Sequence, residues 1–115
     1  MRALITGAVG FLGPSVVRAL IARGAEVHGT WLGQGDPPPG LDLHRVDLAD
    51  EAGLERVLDE TRPEVVVHLA GLAHVGESWR RIAEYYAVNL VGTERVARMA
   101  QARRARLVFA SSAEV

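Results

Sequence analysis

A chain of 115 residues, 49% apolar and with a formal net charge of −1, is long enough for one domain with a real core. The charge balance leaves no basic footprint for nucleic acid or an anionic membrane, and no stretch approaches the roughly 18 apolar residues of a membrane span. The absence of cysteine excludes disulfides and thiolate metal sites.

A first strand runs over Ala3–Thr6, so close to Met1 that no signal peptide fits, and a soluble cytoplasmic protein is expected. Thr6-Gly7-Ala8-Val9-Gly10-Phe11-Leu12-Gly13 follows and opens a helix predicted over Phe11–Arg23, apolar at 12, 16, 17, 20 and 21 and stopped by Gly24. Glycines three apart between a strand and a helix are the mark of a dinucleotide pyrophosphate site. Gly7 permits the tight turn, Gly10 leaves room for the pyrophosphate, and Gly13 lets helix and strand pack closely. The helix-start amides and the helix dipole favour the negative charge. A Gly-rich turn without a ligand is the competing reading.

A second strand over Glu26–Thr30 ends before the loop Gly33–Gly40, and a short third strand over Leu41–Val46 leads into Asp47-Leu48. Asp50–Thr61 reads as a helix, with Asp50 as its N-cap and Leu54, Val57 and Leu58 inward. After Pro63, the run Glu64–Ala70 is nearly all apolar, as a parallel strand buried on both faces must be. A long helical region over Ile82–Arg104 and a fifth strand over Arg106–Ala110 complete the alternation. This order predicts an α/β, Rossmann-type doubly wound parallel sheet of about five strands. Ser111–Val115 then lies beyond the carboxyl end of the fifth strand, where ligands of such sheets bind. The four histidines show no metal-ligand spacing, so no metal is expected.

Five stretches in order resemble the amino-terminal half of the extended short-chain dehydrogenase/reductases, in the NAD(P)-dependent epimerase/dehydratase family that acts on nucleotide sugars. They are Ile5–Gly13, Val46-Asp47-Leu48, Val66–Gly71, Val88–Thr93 and Val108–Val115. The resemblance implies NAD or NADP as cofactor and a nucleotide sugar as substrate of the full-length enzyme. It implies that Gly7, Gly10, Phe11, Leu12 and Gly13 cradle the pyrophosphate. Asp47 and Leu48 would meet the adenine, and Leu69, Ala70 and Gly71 the riboses, while Asn89 would be architectural. Ser112 would hydrogen-bond the sugar C4 oxygen. Turn capping by Asp47 and strand-end bonding by Ser111 and Ser112 stand beside these roles.

Val27–Thr30 and Leu72–Trp79 look like the GDP-mannose 4,6-dehydratases and their reductase relatives, which makes His74 and Ser78 candidate substrate contacts. Ser112-Ala113-Glu114 is similar to the dehydratase pattern that places a carboxylate near the sugar C5 proton, where a base typically adds about 10²–10⁴-fold. A solvated loop carboxylate at Glu114 and a packing histidine at His74 remain alternatives.

Two features depart from the family pattern. No acidic residue closes the second strand, where Thr30-Trp31-Leu32 stands, and no arginine follows it in sequence, so the choice between NAD and NADP stays open. All 13 residues counted as Lys+Arg are arginines, so the Tyr-x-x-x-Lys pair that the resemblance calls for cannot be assembled around Tyr85 or Tyr86. The expectation is an incomplete domain, truncated before the sixth strand and the substrate domain, that holds a cofactor but is inactive alone. Its exposed fifth strand is expected to drive self-association. A free-standing, non-catalytic dinucleotide-binding module is the alternative.

Overall fold

The computed structural model describes residues 1–111. Five parallel strands form one sheet: β1 (Arg2–Thr6), β2 (Glu26–Trp31), β3 (Asp42–Arg45), β4 (Val65–His68) and β5 (Arg106–Phe109), in the order β3-β2-β1-β4-β5. The helices are α1 (Gly13–Ala22), α2 (Glu51–Thr61), the single turns α3 (Val75–Ser78) and α4 (Ile82–Tyr85), and α5 (Gly92–Ala102). A π-helical stretch, Tyr86–Val91, joins α4 to α5. The doubly wound parallel sheet expected from the alternation is present.

Strand alternation sorts the core into two layers. Ala3, Ile5, Val65 and Val67 point to one face and pack with Val17 of α1. Leu4 and Val66, between them in sequence, point to the other and meet Leu54, Val57 and Leu58 of α2 and Val96 and Met99 of α5. All four residues of β4 are buried, which is why its sequence lacks the polar alternation of a one-sided strand.

Element ends follow local chemistry. The Asp50 carboxylate accepts from the Gly53 amide at 2.9 Å and caps α2 as expected. Gly24, at φ +82°, ends the first helical run. That helix begins at Gly13 rather than Phe11, with Pro14 in its first turn, so Phe11 and Leu12 belong to the turn. The long helical region exists over Ile82–Ala102, interrupted by the π stretch, and it ends before Arg103 and Arg104 because the Ala105 amide turns back to the Ala100 carbonyl at 2.9 Å.

Gly13 anchors α1 to the glycine turn. A Cβ there would stand 2.2 Å from the Ala8 carbonyl oxygen, a backbone atom that cannot step aside. Gly13→Ala is therefore expected to cost at least about 1–3 kcal/mol of stability, read from urea denaturation.

Candidate functional site

The switch point of the sheet lies between β1 and β2 on one side and β4 on the other, and the carboxyl ends of these strands carry the turns singled out from sequence. Gly7, at φ +68°, packs so tightly on the turn after β4 that a Cβ would meet Ala70 Cα and N at 2.8 Å. Gly10 is different. Its amide donates to the Gly7 carbonyl at 3.0 Å, and a Cβ would meet only that carbonyl oxygen, at 3.3 Å. One side of Gly10 is thus open, as a close-approaching ligand requires.

Among the described residues, the amides of Phe11, Leu12 and Gly13 find no backbone acceptor. Helix α1 has neither a side-chain cap nor an acidic residue in its first turn. Donors with no partner at the positive end of a helix dipole form a ready anion cradle. Phe11 is 98% exposed.

A chain of hydrogen bonds fixes the floor of the cleft. Thr6 Oγ1 accepts from the Leu69 and Ala70 amides, each at 3.2 Å, and lies 2.6 Å from His68 Nδ1. His68 Nε2 lies 2.9 Å from Thr93 Oγ1, which donates to the Asn89 carbonyl at 2.6 Å. Because that carbonyl can only accept, the Thr93 hydroxyl spends its proton there and receives one from His68 Nε2. His68 is then the Nε2–H tautomer, and the Thr6 hydroxyl donates to Nδ1. Burial, with 1% of the residue exposed, holds this imidazole below its ordinary value, so the neutral form is favoured.

The chain continues through Asn89. Its side chain accepts from the Leu72 amide and donates to the Leu72 carbonyl, both at 2.8 Å, which pins the segment after Gly71. The architectural role implied for Asn89 matches this geometry. Leu69 and Ala70 are half-buried over the two core layers and Gly71 is exposed, with Asn89 Oδ1 3.0 Å from where its Cβ would be.

The second rim is formed by β2 and β3. Asp47 is exposed, and one of its oxygens accepts from the Ala49 amide at 2.9 Å, so it caps its own turn, while among the described residues no hydrogen bond engages the other oxygen. Leu48 is buried in the α2–α5 core and its side chain packs near Gly92, while its carbonyl accepts from Arg95 at 2.6 Å. Adenine contact at Leu48 would fall to the backbone.

Trp31 is half-buried and pairs in register with Arg45. The Gly33–Gly40 loop then folds back: a Cβ on Gly33 would meet Arg45 Cζ at 2.9 Å, and one on Gly35 would meet Val9 Cγ1 at 2.8 Å. Arg45 therefore stands beside Gly33, just past the end of β2, although no arginine follows that strand in sequence.

The substrate-side candidates are less uniform. His74 is exposed and its carbonyl accepts from the Tyr85 hydroxyl at 2.7 Å. Ser78 is half-buried, its hydroxyl donating to the Val75 carbonyl at 2.6 Å. A groove of about 500 Å³ lined by Ser78, Trp79, Ile82, Tyr86, Asn89 and Leu90 runs beside them, largely apolar and open. A larger depression of about 650 Å³ lies at the opposite end of the strands, lined by Arg2, Arg62 and Arg103 among others. Ion pairs of Arg2 with Glu64 and of Arg103 with Asp59 and Glu55 hold its rim, and it is remote from the strand ends where ligands bind. Ser112 and Glu114 lie outside the described residues. Sequence spacing also missed His28, Asp42 and His44, which the β2–β3 register brings within 4.8 Å of one another.

A model of the NAD dependent epimerase/dehydratase family matches residues 3–115. UDP-glucose 4-epimerase 4 of Oryza sativa subsp. japonica is 39% identical over an alignment covering 97% of this chain and 34% of its own length. The Homo sapiens UDP-glucose 4-epimerase is 31% identical, with 99% and 38% covered. The crystal structure of Thermus thermophilus UDP-glucose 4-epimerase in complex with NAD superposes with a TM-score of 0.91 at 38% identity, covering 97% of this chain and 38% of that one. The Bifidobacterium longum enzyme with NAD+ and UDP gives 0.89 at 30% identity, covering 100% and 38%. The chain thus spans little more than a third of these relatives.

The His68 chain makes stability depend on pH. A folded-state value below the ordinary 6.5 means that the unfolded chain takes up a proton which the fold refuses. The contribution is complete above that ordinary value and is lost as pH falls through it toward the depressed one. The unfolding free energy of the parent, read from urea denaturation, should fall on acidification below about pH 6.5, by at most about 1.4 kcal/mol per pH unit from this group. His68→Gln should flatten that slope while costing about 1–3 kcal/mol at neutral pH, because buried hydroxyls lose their partner.

Proposed function

Since this chain belongs to the NAD dependent epimerase/dehydratase family, we propose that it is the dinucleotide-holding portion of a nucleotide-sugar epimerase. The observation that carries this is the turn from Gly7 to Gly13. Unpartnered amides, the open side of Gly10 and the positive end of α1 converge at the switch point of the sheet.

The residues present fit an NAD-type cofactor. Gly7, Gly10, Phe11, Leu12 and Gly13 would hold the pyrophosphate, the second oxygen of Asp47 the adenine amino group, and Leu69, Ala70 and Gly71 the ribose side. Once bound, the nicotinamide supplies a reversible hydride acceptor for a sugar carbon. The chain's own part is to orient: the Thr6–His68–Thr93–Asn89 bonds keep the turn after β4 from moving against the glycine turn. Arg45 adds a cation at the place where an acidic residue would otherwise select the unphosphorylated ribose. It gives the site a partner for a 2′-phosphate.

In the whole protein the first step would be reversible oxidation of the sugar at C4, reversed on the opposite face in an epimerase, with Ser112 at the C4 oxygen and His74 as a substrate contact; Glu114 would serve as a base for the C5 proton only in a dehydratase. Ser78, whose hydroxyl is engaged within its own turn, is the weaker substrate candidate. Uridine diphosphate sugars are favoured over the guanosine sugars suggested by residues 72–79, because the relatives described above are UDP-glucose 4-epimerases. Neither tyrosine is followed by a lysine, so this chain alone binds cofactor without turning over sugar. Val108 and Phe109 on β5, 47% and 52% exposed, and the groove along Trp79–Leu90 favour self-association of the isolated chain.

Calorimetry with NAD(H) and NADP(H) tests the reading. The parent chain should bind both. Gly10→Ala, whose added methyl meets one carbonyl, should leave stability within about 1 kcal/mol of the parent yet weaken both dinucleotides at least tenfold. Arg45→Ala should weaken NADP(H) selectively, by about tenfold or more. Absence of any dinucleotide affinity in the folded parent would defeat the proposal.

A further inference from the structure

On the α2 side of the sheet, away from the glycine turn, three donor atoms converge on one point. His28 Nδ1 lies 3.0 Å from Asp42 Oδ2, His44 Nε2 lies 3.5 Å from His28 Nδ1, and His44 Nε2 lies 3.6 Å from Asp42 Oδ2. Parallel register produces the cluster: His28 pairs with Asp42 and Thr30 with His44, so side chains two apart on β2 and β3 share a face.

The triangle has the size of a metal site. A tetrahedral ion with bonds of about 2.05 Å separates its ligands by about 3.3 Å. The centre of the triangle lies about 2.0 Å from each donor, so an ion at the zinc–imidazole bond length sits just off its plane, on the side of a fourth ligand.

A second observation concerns the other nitrogen of His28. Nε2 lies 2.9 Å from Glu26 Oε1, so in its Nε2–H form the ring donates to that carboxylate. In that form Nδ1 presents a lone pair to an Asp42 oxygen that is itself an acceptor. Two acceptors at 3.0 Å repel unless a proton or a cation lies between them. A ligating histidine whose remaining N–H is held by an outer carboxylate is the usual second layer of a metal centre. His28 is buried and His44 half-buried, whereas Asp42 is exposed at the edge strand, which leaves a path for an ion to enter.

We propose that His28, Asp42 and His44, with Glu26 behind His28, form a binding site for one borderline divalent transition-metal ion of the zinc class, its fourth position taken by water. Two imidazoles and one carboxylate select zinc, cobalt or nickel over magnesium or calcium, which prefer all-oxygen shells. The ion would tie the edge strand β3 to β2, and with it Arg45, the residue after His44, and Asp47 two residues beyond. The site is independent of the dinucleotide reading and stands or falls separately from it.

Calorimetric titration of the tag-free chain with zinc chloride is the test, with cobalt(II) absorption reporting geometry. The folded parent should bind one ion, rise in melting temperature with zinc, and give a tetrahedral cobalt spectrum. His44→Gln and Asp42→Asn, both outside the core layers, should each weaken binding at least tenfold and abolish the zinc-dependent rise. Glu26→Gln should weaken binding about 10–100-fold, and His74→Gln, outside the cluster, should bind zinc as the parent does. The proposal is overturned if the folded parent takes up no zinc, if His44→Gln and Asp42→Asn bind as the parent does, or if magnesium binds in preference.

Discussion

The approach of Gly7 to the backbone of Ala70 is the constraint on which the ligand end of this molecule depends. At 2.8 Å from the position of a Cβ, the turn after β4 leaves space for a hydrogen and nothing larger. Backbone contact this close brings the two loops of the switch point together as one surface. It also places the Thr6 hydroxyl within reach of both amides that follow His68. Every other feature of the cleft is arranged outward from that contact.

The polar chain from Thr6 to Asn89 explains how a buried histidine is tolerated. Each hydroxyl and ring nitrogen has a partner of the right kind, so little desolvation cost is left unmet. The same chain ends on Leu72 and runs through the π stretch, whose i→i+5 bonding departs from the helix on either side. Strand ends, helix irregularity and the loop leading to the substrate-side groove are thereby coupled by hydrogen bonds alone. The opposite rim uses different means: positive-φ glycines at 33 and 35 fold a loop onto Arg45 and Val9 without side-chain bulk.

Much of this was legible along the chain. The three glycines, the buried run at Val65–Val67, the cap at Asp50 and the stop at Gly24 act through neighbours in sequence, and each stands where periodicity put it. The π stretch was not legible, because it coincides with the bonding of Asn89 to Leu72, 17 residues earlier. The resemblance implied Leu48 as an adenine neighbour, yet its side chain is held in the core between α2 and α5. The single turn at Val75–Ser78 is too short for a periodic signal.

By itself the sequence determined the class of sheet, the glycine turn between strand and helix and the absence of lysine from these 115 residues, because these are matters of composition and of spacing within one element. Tertiary structure alone decided which residues meet across strands. Parallel register set Arg45 beside Trp31 and gathered His28, Asp42 and His44. It also set His68 opposite Thr6. The physical reason is that a parallel pair is joined by a crossover, so its register is set by how the intervening segment packs, and no local spacing records it.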